Sequence, residues 1–316
     1  MLRMIGAGAV EAALPYHHLV EALREGFRSG AGVPPRHHHA VPRPGQDPAI
    51  LLLMPAWQPG GVTGVKLVHI APGNESKGLP SVQGLYVLFD GPTGTPLAVM
   101  DGAALTARRT AAASALAAAY LARPEARVMT MVGAGAMAPH LMRAHAAIRP
   151  IAEVRLWNRS RPRAEAAAAA FAADGRPLTV VDDLEAAVRS SDMVSCATLS
   201  REPLVRGAWL RPGTHVDLVG GFTAEMRESD DEVMRRGEVF VDTFEGAMAE
   251  AGDILLAIGS GALTRERIRA ELHGLCTGLH PGRTDPAAIT VFKSVGTALE
   301  DLVAATVVHR SVPQGR

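Results

Sequence analysis

Apolar and polar residues follow different periods in the two halves of the chain. Near the start, apolar residues at helical spacing predict an amphipathic helix within residues 1–30, which Gly30 and Gly32 end. Short apolar runs broken by proline and glycine then predict strands at 49–54, 63–70, 81–89 and 97–101. Residues 90–94 predict a hairpin turn, and a helix is predicted at 105–121 before Pro124. This half is predicted to be α+β with a mainly antiparallel sheet.

The second half alternates strands and helices, which is typical of a parallel sheet. Its predicted strands lie at 128–132, 153–157, 178–181, 193–196, 215–219 and 239–242. A helix is predicted at 165–173, and a long amphipathic helix from Val291 is expected to return to the first half. The chain is therefore predicted to be α/β, with a first domain at 1–122 completed by 292–316. A Rossmann dinucleotide-binding domain is predicted at 123–291.

Residues 133–138 form a G-x-G-x-x-A loop between a predicted strand and a predicted helix. Gly133 allows the tight turn, and Gly135 lets the backbone approach a pyrophosphate at the helix N-terminus. The small Ala138 permits close packing of helix on strand. A glycine-rich loop can also be a plain structural turn, but the strand and helix around it favour a dinucleotide site.

The end of the next predicted strand indicates which dinucleotide binds. Sites that prefer NAD usually place an acid there, whereas this chain has Asn158, followed by Arg159, Ser160, Arg161 and Arg163. An acid would repel a 2′-phosphate, while amide, hydroxyl and guanidinium groups can bind one. The alternative is a solvated basic loop. The sequence favours NADPH, with NADH as a second choice.

Composition excludes several classes of protein. The 32 basic and 32 acidic residues give no net charge, so nothing indicates a nucleic-acid partner. Two cysteines provide no disulfide framework and suit a reducing cytoplasm. The apolar run at the N-terminus is too short for a signal peptide, and residues 110–122 are too few to span a membrane. A soluble cytoplasmic protein with no membrane partner is expected.

Lysine is scarce, since Lys66, Lys77 and Lys293 are the only lysines among the 32 basic residues. A chain that favours arginine keeps lysine mainly where a compact ammonium or a proton donor is needed. Lys66 lies within an apolar predicted strand, so it either faces solvent or serves a ligand carboxylate or proton transfer. The functional interpretation is favoured.

Other polar segments point to an anion rather than a metal. Arg108 and Arg109 are predicted to lie in the first turns of a helix, where the macrodipole disfavours cations unless an anion binds. Neighbouring residues of the His37–His39 run would point to opposite faces of a strand, and no ligand cluster supports them. No metal is expected.

Motifs along nearly the whole chain together resemble the ornithine cyclodeaminase/μ-crystallin family. They are P-x-R at 34–36, G-V-K at 64–66, G-L-P-S at 78–81, L-T-x-x-R-T at 105–110, GAGAMA at 133–138, WNRS at 157–160, C-A-T at 196–198 and K-S-V-G at 293–296. The resemblance implies a homodimer, with the first domain forming the dimer and the substrate site.

The resemblance also implies roles for individual residues. Arg36, Lys66 and Arg109 are expected to hold a substrate carboxylate, with Lys66 as the catalytic acid. A larger set is expected to bind the cofactor. These residues are Ser81, Arg109, Thr110, Gly133, Gly135, Ala136, Met137, Asn158, Arg159, Ser160, Thr198, Val219 and Ser294.

Two departures from the family's cyclodeaminases indicate the reaction. Their G-G-D signature is Gly220-Gly221-Phe222 here, and their Glu before L-M-P is Leu52. An apolar pocket that keeps its carboxylate clamp suits reduction of Δ1-pyrroline-2-carboxylate, or its six-membered homologue, by NAD(P)H. Ornithine cyclodeaminase, alanine dehydrogenase and a non-catalytic NADPH-dependent ligand-binding protein remain alternatives.

Overall fold

A computed structural model describes residues 2–172 and 178–313. The strands are β1 Arg3–Ile5, β2 His37–Val41, β3 Ala49–Trp57, β4 Val62–Ile70, β5 Val82–Asp90, β6 Pro96–Asp101, β7 Val128–Val132, β8 Glu153–Trp157, β9 Leu178–Val180, β10 Met193–Cys196, β11 His215–Leu218, β12 Gly237–Val241, β13 Ile268–Glu271 and β14 Ile289–Lys293. The helices are α1 Ala7–Ala13, α2 Tyr16–Ser29, α3 Gly102–Leu121, α4 Ala138–Ile148, α5 Arg161–Ala172, α6 Leu184–Arg189, α7 Asp231–Arg236, α8 Phe244–Glu250, α9 Gly252–Gly259, α10 Leu272–Thr277 and α11 Ala298–Ser311. The predicted α/β class is confirmed.

The chain divides into two compact units. Unit 1 comprises residues 1–110 and 297–316, and unit 2 comprises residues 111–296. The first division falls inside α3, whereas the sequence pattern placed a boundary after that helix. The predicted helix at 165–173 corresponds to α5, and its last residue, Ala173, lies outside the described residues.

Unit 1 is a sheet in the order β1-β6-β5-β4-β3-β2, antiparallel except that β1 runs parallel to β6. Helix α11 packs on β3, β4 and β5 and against α2. The predicted helix at 1–30 is instead a strand and two helices, because Pro15 lacks an N–H and starts a new helix. The predicted hairpin turn at 90–94 joins β5 to β6 as expected.

Unit 2 is a parallel sheet in the order β13-β12-β14-β11-β10-β7-β8-β9. Within unit 2, the chain enters the sheet at β7 and adds β8 and β9 on one side of it. The chain then crosses to the other side of β7, where β10 lies. This reversal creates the switch point at which doubly wound sheets bind dinucleotides, beyond the carboxyl ends of their strands. The central strands β10, β11 and β14 are buried along their whole length.

The last predicted helix begins later than expected. Val291 to Lys293 belong to β14, which lies between β11 and β12, and α11 starts at Ala298. A β-branched and aromatic run buried on both sides suits a central strand. Gly296, at φ 82°, reverses the chain, and the Thr297 side chain caps α11 by accepting from the Leu299 N–H.

The helix that carries Arg109 begins earlier than expected, at Gly102. The Asp101 carboxylate accepts a hydrogen bond from the Ala104 N–H and stabilises this helix start. Arg109 therefore lies beyond the first turns, and the macrodipole argument for a bound anion does not hold. Within the described residues, no helix combines the length and apolar character needed to cross a membrane.

Candidate active site

The glycine loop after β7 is shaped for a close ligand. Gly133 has a φ of 103°, and a Cβ there would lie 2.6 Å from the Ala197 carbonyl oxygen, so both conformation and space require glycine. A Cβ at Gly135 would meet no atom within 4 Å, which leaves open space beside the loop. Helix α4 follows, and its N-cap residue, Met137, provides no side-chain cap. The first N–H groups of α4 thus fit a pyrophosphate.

Asn158 connects this loop to the one after β8. Its Oδ1 accepts from the Ala134 N–H at 3.3 Å, and its Nδ2 donates to the Ser160 carbonyl at 2.9 Å. Arg159 is exposed. Arg161 is bound by Glu165 at 2.8 Å and by Asp182, so it is already paired within the protein. Arg159 is therefore better placed than Arg161 to bind a further anion.

Thr198, Val219 and Ser294 follow the carboxyl ends of β10, β11 and β14. The Val219 N–H donates to Cys196, and the Ser294 N–H donates to Leu218, so the three segments lie side by side. Ser294 is buried, and its hydroxyl has no hydrogen-bond partner within the described part of the chain. The structure thus gathers these predicted cofactor residues with the glycine loop at one edge of the sheet.

Buried Glu228 fixes two of these strand ends. Its carboxylate accepts from the Thr198 N–H at 2.6 Å, from the Thr198 hydroxyl at 2.9 Å and from the Gly220 N–H at 2.6 Å. Lys293 lies 3.6 Å from Asp253, and both are fully buried. Burial raises the pKa of Glu228 to about 7, against the opposing effect of Lys293 and with the support of Asp253.

In unit 1, Lys66 and Arg109 meet two acids from α11. The Lys66 Nζ lies 2.8 Å from Asp301 Oδ2, and the Arg109 Nε lies 2.8 Å from Asp301 Oδ1. The Arg109 Nη1 lies 2.7 Å from Glu300 Oε2. Lys66 and Arg109 are 3% and 5% exposed, and both acids are fully buried. We call these four residues the charge cluster.

The pKa values in the charge cluster reflect burial and mutual charge. Burial and the nearby Arg109 lower the pKa of Lys66 to about 8, although Asp301 opposes this shift and Arg36 adds to it. Burial would lower the pKa of Arg109, but Asp301 and Glu300 outweigh it and raise that pKa. Burial would raise the pKa of Asp301, but Arg109 and Lys66 hold it below its usual value. At neutral pH the ion-paired form is favoured, and the pKa of Lys66 lies only slightly above that pH.

The strand neighbours of Lys66 are apolar or tightly packed. Lys66 pairs with Met54 on β3 and Tyr86 on β5, and Leu52 lies on the same face. The Tyr86 ring packs against Gly64, where no side chain would fit. Burial, with a further contribution from Asp301, raises the pKa of the Tyr86 hydroxyl, which has no hydrogen-bond partner within the described residues.

The remaining predicted residues occupy separate places. Arg36 is half-buried just before β2, and its charge reaches Lys66. Ser81 precedes β5, and Thr110 is half-buried in α3; both belong to unit 1. Phe222 is 41% exposed in the loop after β11. Among the described residues, no group of three or more His, Cys, Asp or Glu side chains is placed to hold a metal ion.

The sequence analysis missed Glu228, Glu300 and Asp301. The last two are the acids of the first turn of α11, where carboxylates suit the helix N-terminus. Two acids at this position predict the start of a helix, but they do not predict that Lys66 and Arg109 are their partners. Glu228 lies in a loop between β11 and α7, with no local pattern to distinguish it.

Comparison with known proteins places the chain among reductases. The model of the ornithine cyclodeaminase/mu-crystallin family matches residues 3–316. The Δ1-pyrroline-2-carboxylate reductase of Paracoccus denitrificans is 37% identical over 319 residues, covering 98% of this chain and 96% of that protein. The ketimine reductase mu-crystallin of Rattus norvegicus is 39% identical over 251 residues, covering 79% of this chain and 76% of that protein.

A solved structure shares the fold over nearly the full length. The Δ1-pyrroline-2-carboxylate reductase of Thermococcus litoralis, in complex with NADH and L-proline, has a TM-score of 0.92 and 33% identity. The match covers 98% of this chain and 97% of that one.

Proposed function

Because the chain belongs to the ornithine cyclodeaminase/mu-crystallin family, we propose that it reduces Δ1-pyrroline-2-carboxylate to L-proline with NADPH. In coarser terms, the chain is an oxidoreductase that acts on carbon–nitrogen double bonds and uses a nicotinamide cofactor.

The charge cluster is the observation that carries the proposal. Its two cations and two carboxylates lie in direct contact, and the charge of Arg36 also reaches Lys66. A substrate carboxylate would be attracted by the Lys66, Arg109 and Arg36 cations.

Lys66 is proposed as the acid of the reaction. NADPH, when bound, supplies the hydride for the imine carbon. The Lys66 ammonium donates its proton to the imine nitrogen, so that the C=N bond becomes CH–NH and the lysine is left neutral. A pKa of about 8 leaves Lys66 mostly protonated at neutral pH and lets it release the proton readily. Arg36 and Arg109 orient the carboxylate, and Arg109 can use Nη2 because Nε and Nη1 face the acids.

Apolar residues favour a plain ring over an amine-bearing chain. Leu52 lies on the same strand face as Lys66, where the cyclodeaminases of this family place a glutamate. Phe222 stands where they place the aspartate that activates water. Neither Leu52 nor Phe222 can act as a base for water or pair with the ornithine δ-amine. The residues at these two positions therefore favour reduction over cyclodeamination.

The cofactor is proposed to bind in unit 2. The glycine loop and the N-terminus of α4 would hold the pyrophosphate, and Thr198, Val219 and Ser294 would lie near the nicotinamide. Asn158, Arg159 and Ser160 would bind the 2′-phosphate of NADPH, which would make NADH the weaker cofactor. Ser81, Arg109 and Thr110 are proposed as further cofactor contacts from unit 1.

A homodimer is proposed through the second face of the unit 1 sheet. Alternate strand residues direct apolar side chains to the face opposite Lys66. They are Leu51, Leu53, Val65, Leu67, Leu85 and Val87. Leu85 is 46% exposed, and so apolar a face favours a protein partner. Light scattering should report a dimer for the wild type and a smaller species for Leu85→Glu; a wild-type monomer would contradict the proposal.

Initial rates with NADPH and a panel of imines test the proposed reaction. The panel contains Δ1-pyrroline-2-carboxylate, its six-membered homologue, and Δ1-pyrroline without the carboxylate as a matched control. Loss of NADPH absorbance is expected with the first, less with the second and none with the third. Pyruvate with ammonia tests for alanine dehydrogenase, and ornithine alone tests for cyclodeaminase. Turnover of either in preference to the cyclic imines would overturn the assignment, and no turnover at all would indicate a binding protein.

A further inference from the structure

Asp301 touches both cations of the charge cluster with one carboxylate. Its Oδ2 lies 2.8 Å from the Lys66 Nζ, and its Oδ1 lies 2.8 Å from the Arg109 Nε. All three side chains are at least nine-tenths buried, so water does little to weaken these contacts. Each oxygen therefore serves a different cation, and their separation is set by a single rigid group.

Lys66 and Arg109 would repel each other without that bridge. They come from β4 and α3, and the charge of Arg109 lowers the pKa of Lys66. The charged and titratable groups around Lys66 are Arg109 from α3, Asp301 from α11, Tyr86 from β5 and Arg36 before β2. Within this described set, Asp301 is the acid that pairs with Lys66 directly.

Glu300 provides a built-in comparison. It is the neighbouring residue of the same helix, it is equally buried, and its carboxylate pairs with the Arg109 Nη1 at 2.7 Å. Its carboxylate thus pairs with Arg109, and it is not among the groups that set the Lys66 pKa. The two acids thus differ in whether they touch the proposed proton donor.

We propose that Asp301 is the positioning residue of this site, which holds the Lys66 ammonium beside the Arg109 guanidinium and favours the charged form of Lys66. The inference rests on the proposed function, because it assigns Asp301 a part in preparing Lys66 to donate a proton. Burial and Arg109 already lower the pKa of Lys66 to about 8, and Asp301 opposes them through its charge and its hydrogen bond. Its removal therefore favours the neutral amine.

The main test compares kcat against pH for the wild type, Asp301→Asn and Glu300→Gln, with NADPH and Δ1-pyrroline-2-carboxylate. Lys66 must be protonated to act, so kcat falls as the pH rises through the Lys66 pKa. Asp301→Asn should move this alkaline limb down by about one pH unit or more, since the acid that favours the ammonium is gone. Glu300→Gln should move it by less than about 0.3 unit. Equal limbs in the wild type and Asp301→Asn, or equal shifts in both variants, would overturn the inference.

A second measurement separates this inference from the proposed function. Lysine labelled with ¹³C at Cε reports its own ionisation by NMR without turnover, and the chain has only Lys77 and Lys293 besides Lys66. The Lys66 resonance should titrate at a lower pH in Asp301→Asn than in the wild type, even if no imine is reduced. Titration at the same pH in both proteins would overturn the role of Asp301 and leave the reaction intact.

A third variant covers the case in which Asp301→Asn does not fold. Asp301→Glu keeps the negative charge but lengthens the side chain, which displaces Lys66 relative to Arg109. Its alkaline limb should stay near that of the wild type, while kcat falls about tenfold or more because the donor is misplaced. A wild-type kcat in this variant would overturn the positioning role.

Discussion

Replacing Arg159 with alanine is expected to weaken the binding of NADPH about tenfold while leaving NADH nearly unaffected. Arg159 follows Asn158 at the end of β8 and is exposed, so its guanidinium can reach the 2′-phosphate that NADH lacks. A hydrogen bond to a charged group contributes about 1.5–3 kcal/mol. Because the Arg159 contact is exposed to water, its contribution is expected at or just below the lower end of that range. A contribution of about 1.4 kcal/mol corresponds to a tenfold change in Kd.

The chain offers a matched control for this substitution. Arg161 is two residues away and also exposed, but Glu165 and Asp182 already bind its guanidinium. Arg161→Ala should therefore change the Kd of either cofactor by less than about twofold. Both variants remove one positive charge from the same loop. A general loss of positive charge would affect them equally, whereas a specific contact affects Arg159 alone.

Quenching of tryptophan emission can report binding, since Trp157 directly precedes Asn158. The Kd of each cofactor is measured for the wild type and both variants at low and high salt. Because the Debye length falls from ~10 Å at 0.1 M to ~3 Å at 1 M, the advantage of the wild type for NADPH should shrink at high salt. Equal losses of NADPH and NADH binding in Arg159→Ala, or a larger loss in Arg161→Ala, would refute the assignment of the 2′-phosphate site.

Three further substitutions test other parts of the site. Lys66→Met should reduce kcat to below about a tenth of wild type, a barrier increase above ~1.4 kcal/mol, and leave the Kd for NADPH unchanged; retained kcat would exclude Lys66 as the acid. The same variant should be less stable, since Asp301 loses one of its two cations. Phe222→Asp should fold normally, because Phe222 is 41% exposed, and should release no ammonia from ornithine, because Leu52 still lacks a carboxylate; ammonia in a coupled assay would contradict this. Tyr86→Phe should raise the free energy of unfolding by about 1 kcal/mol in urea titrations, because it removes a buried hydroxyl that has no hydrogen-bond partner among the described residues; a loss of stability would reveal a hydrogen bond to that hydroxyl.

The parts of the fold encoded in short segments could be predicted from sequence. The strand at Met193–Cys196 and the glycine loop at 133–138 depend on apolar runs and on glycine conformation, which are local properties. The sequence pattern predicted part of β14 and all of α11 as one helix, because a buried strand and a buried helix have the same pattern over a few apolar residues. The boundary between β14 and α11 lies near Gly296, whose positive φ cannot be read from the sequence pattern.

The charge cluster could be predicted only in part, for a different physical reason. Lys66 and Arg109 stand out as charges in apolar or helical surroundings, but each needs a partner that the sequence does not indicate. Arg109 is separated from Glu300 by 191 positions and from Asp301 by 192. Such pairing follows from how α11 packs on the sheet, which no local pattern encodes. Glu300 and Asp301 account for the buried charge of Arg109 without a bound anion. Arg109 is therefore assigned to the site because of its contacts in the charge cluster, and not because of its position in the helix.

The position of α11 in the sequence also has a consequence for the order in which the protein is made. Unit 1 needs residues 1–110 and the segment after 297, whereas unit 2 is continuous from 111 to 296. During synthesis, the ribosome releases the sheet of unit 1 long before the helix that packs on it, so Lys66 and Arg109 lack their acids until the last part of the chain has emerged. The newly made sheet is therefore expected to expose apolar surface throughout this interval. A chain truncated before Glu300 would therefore keep all the residues of unit 2 but lack both acids of the charge cluster.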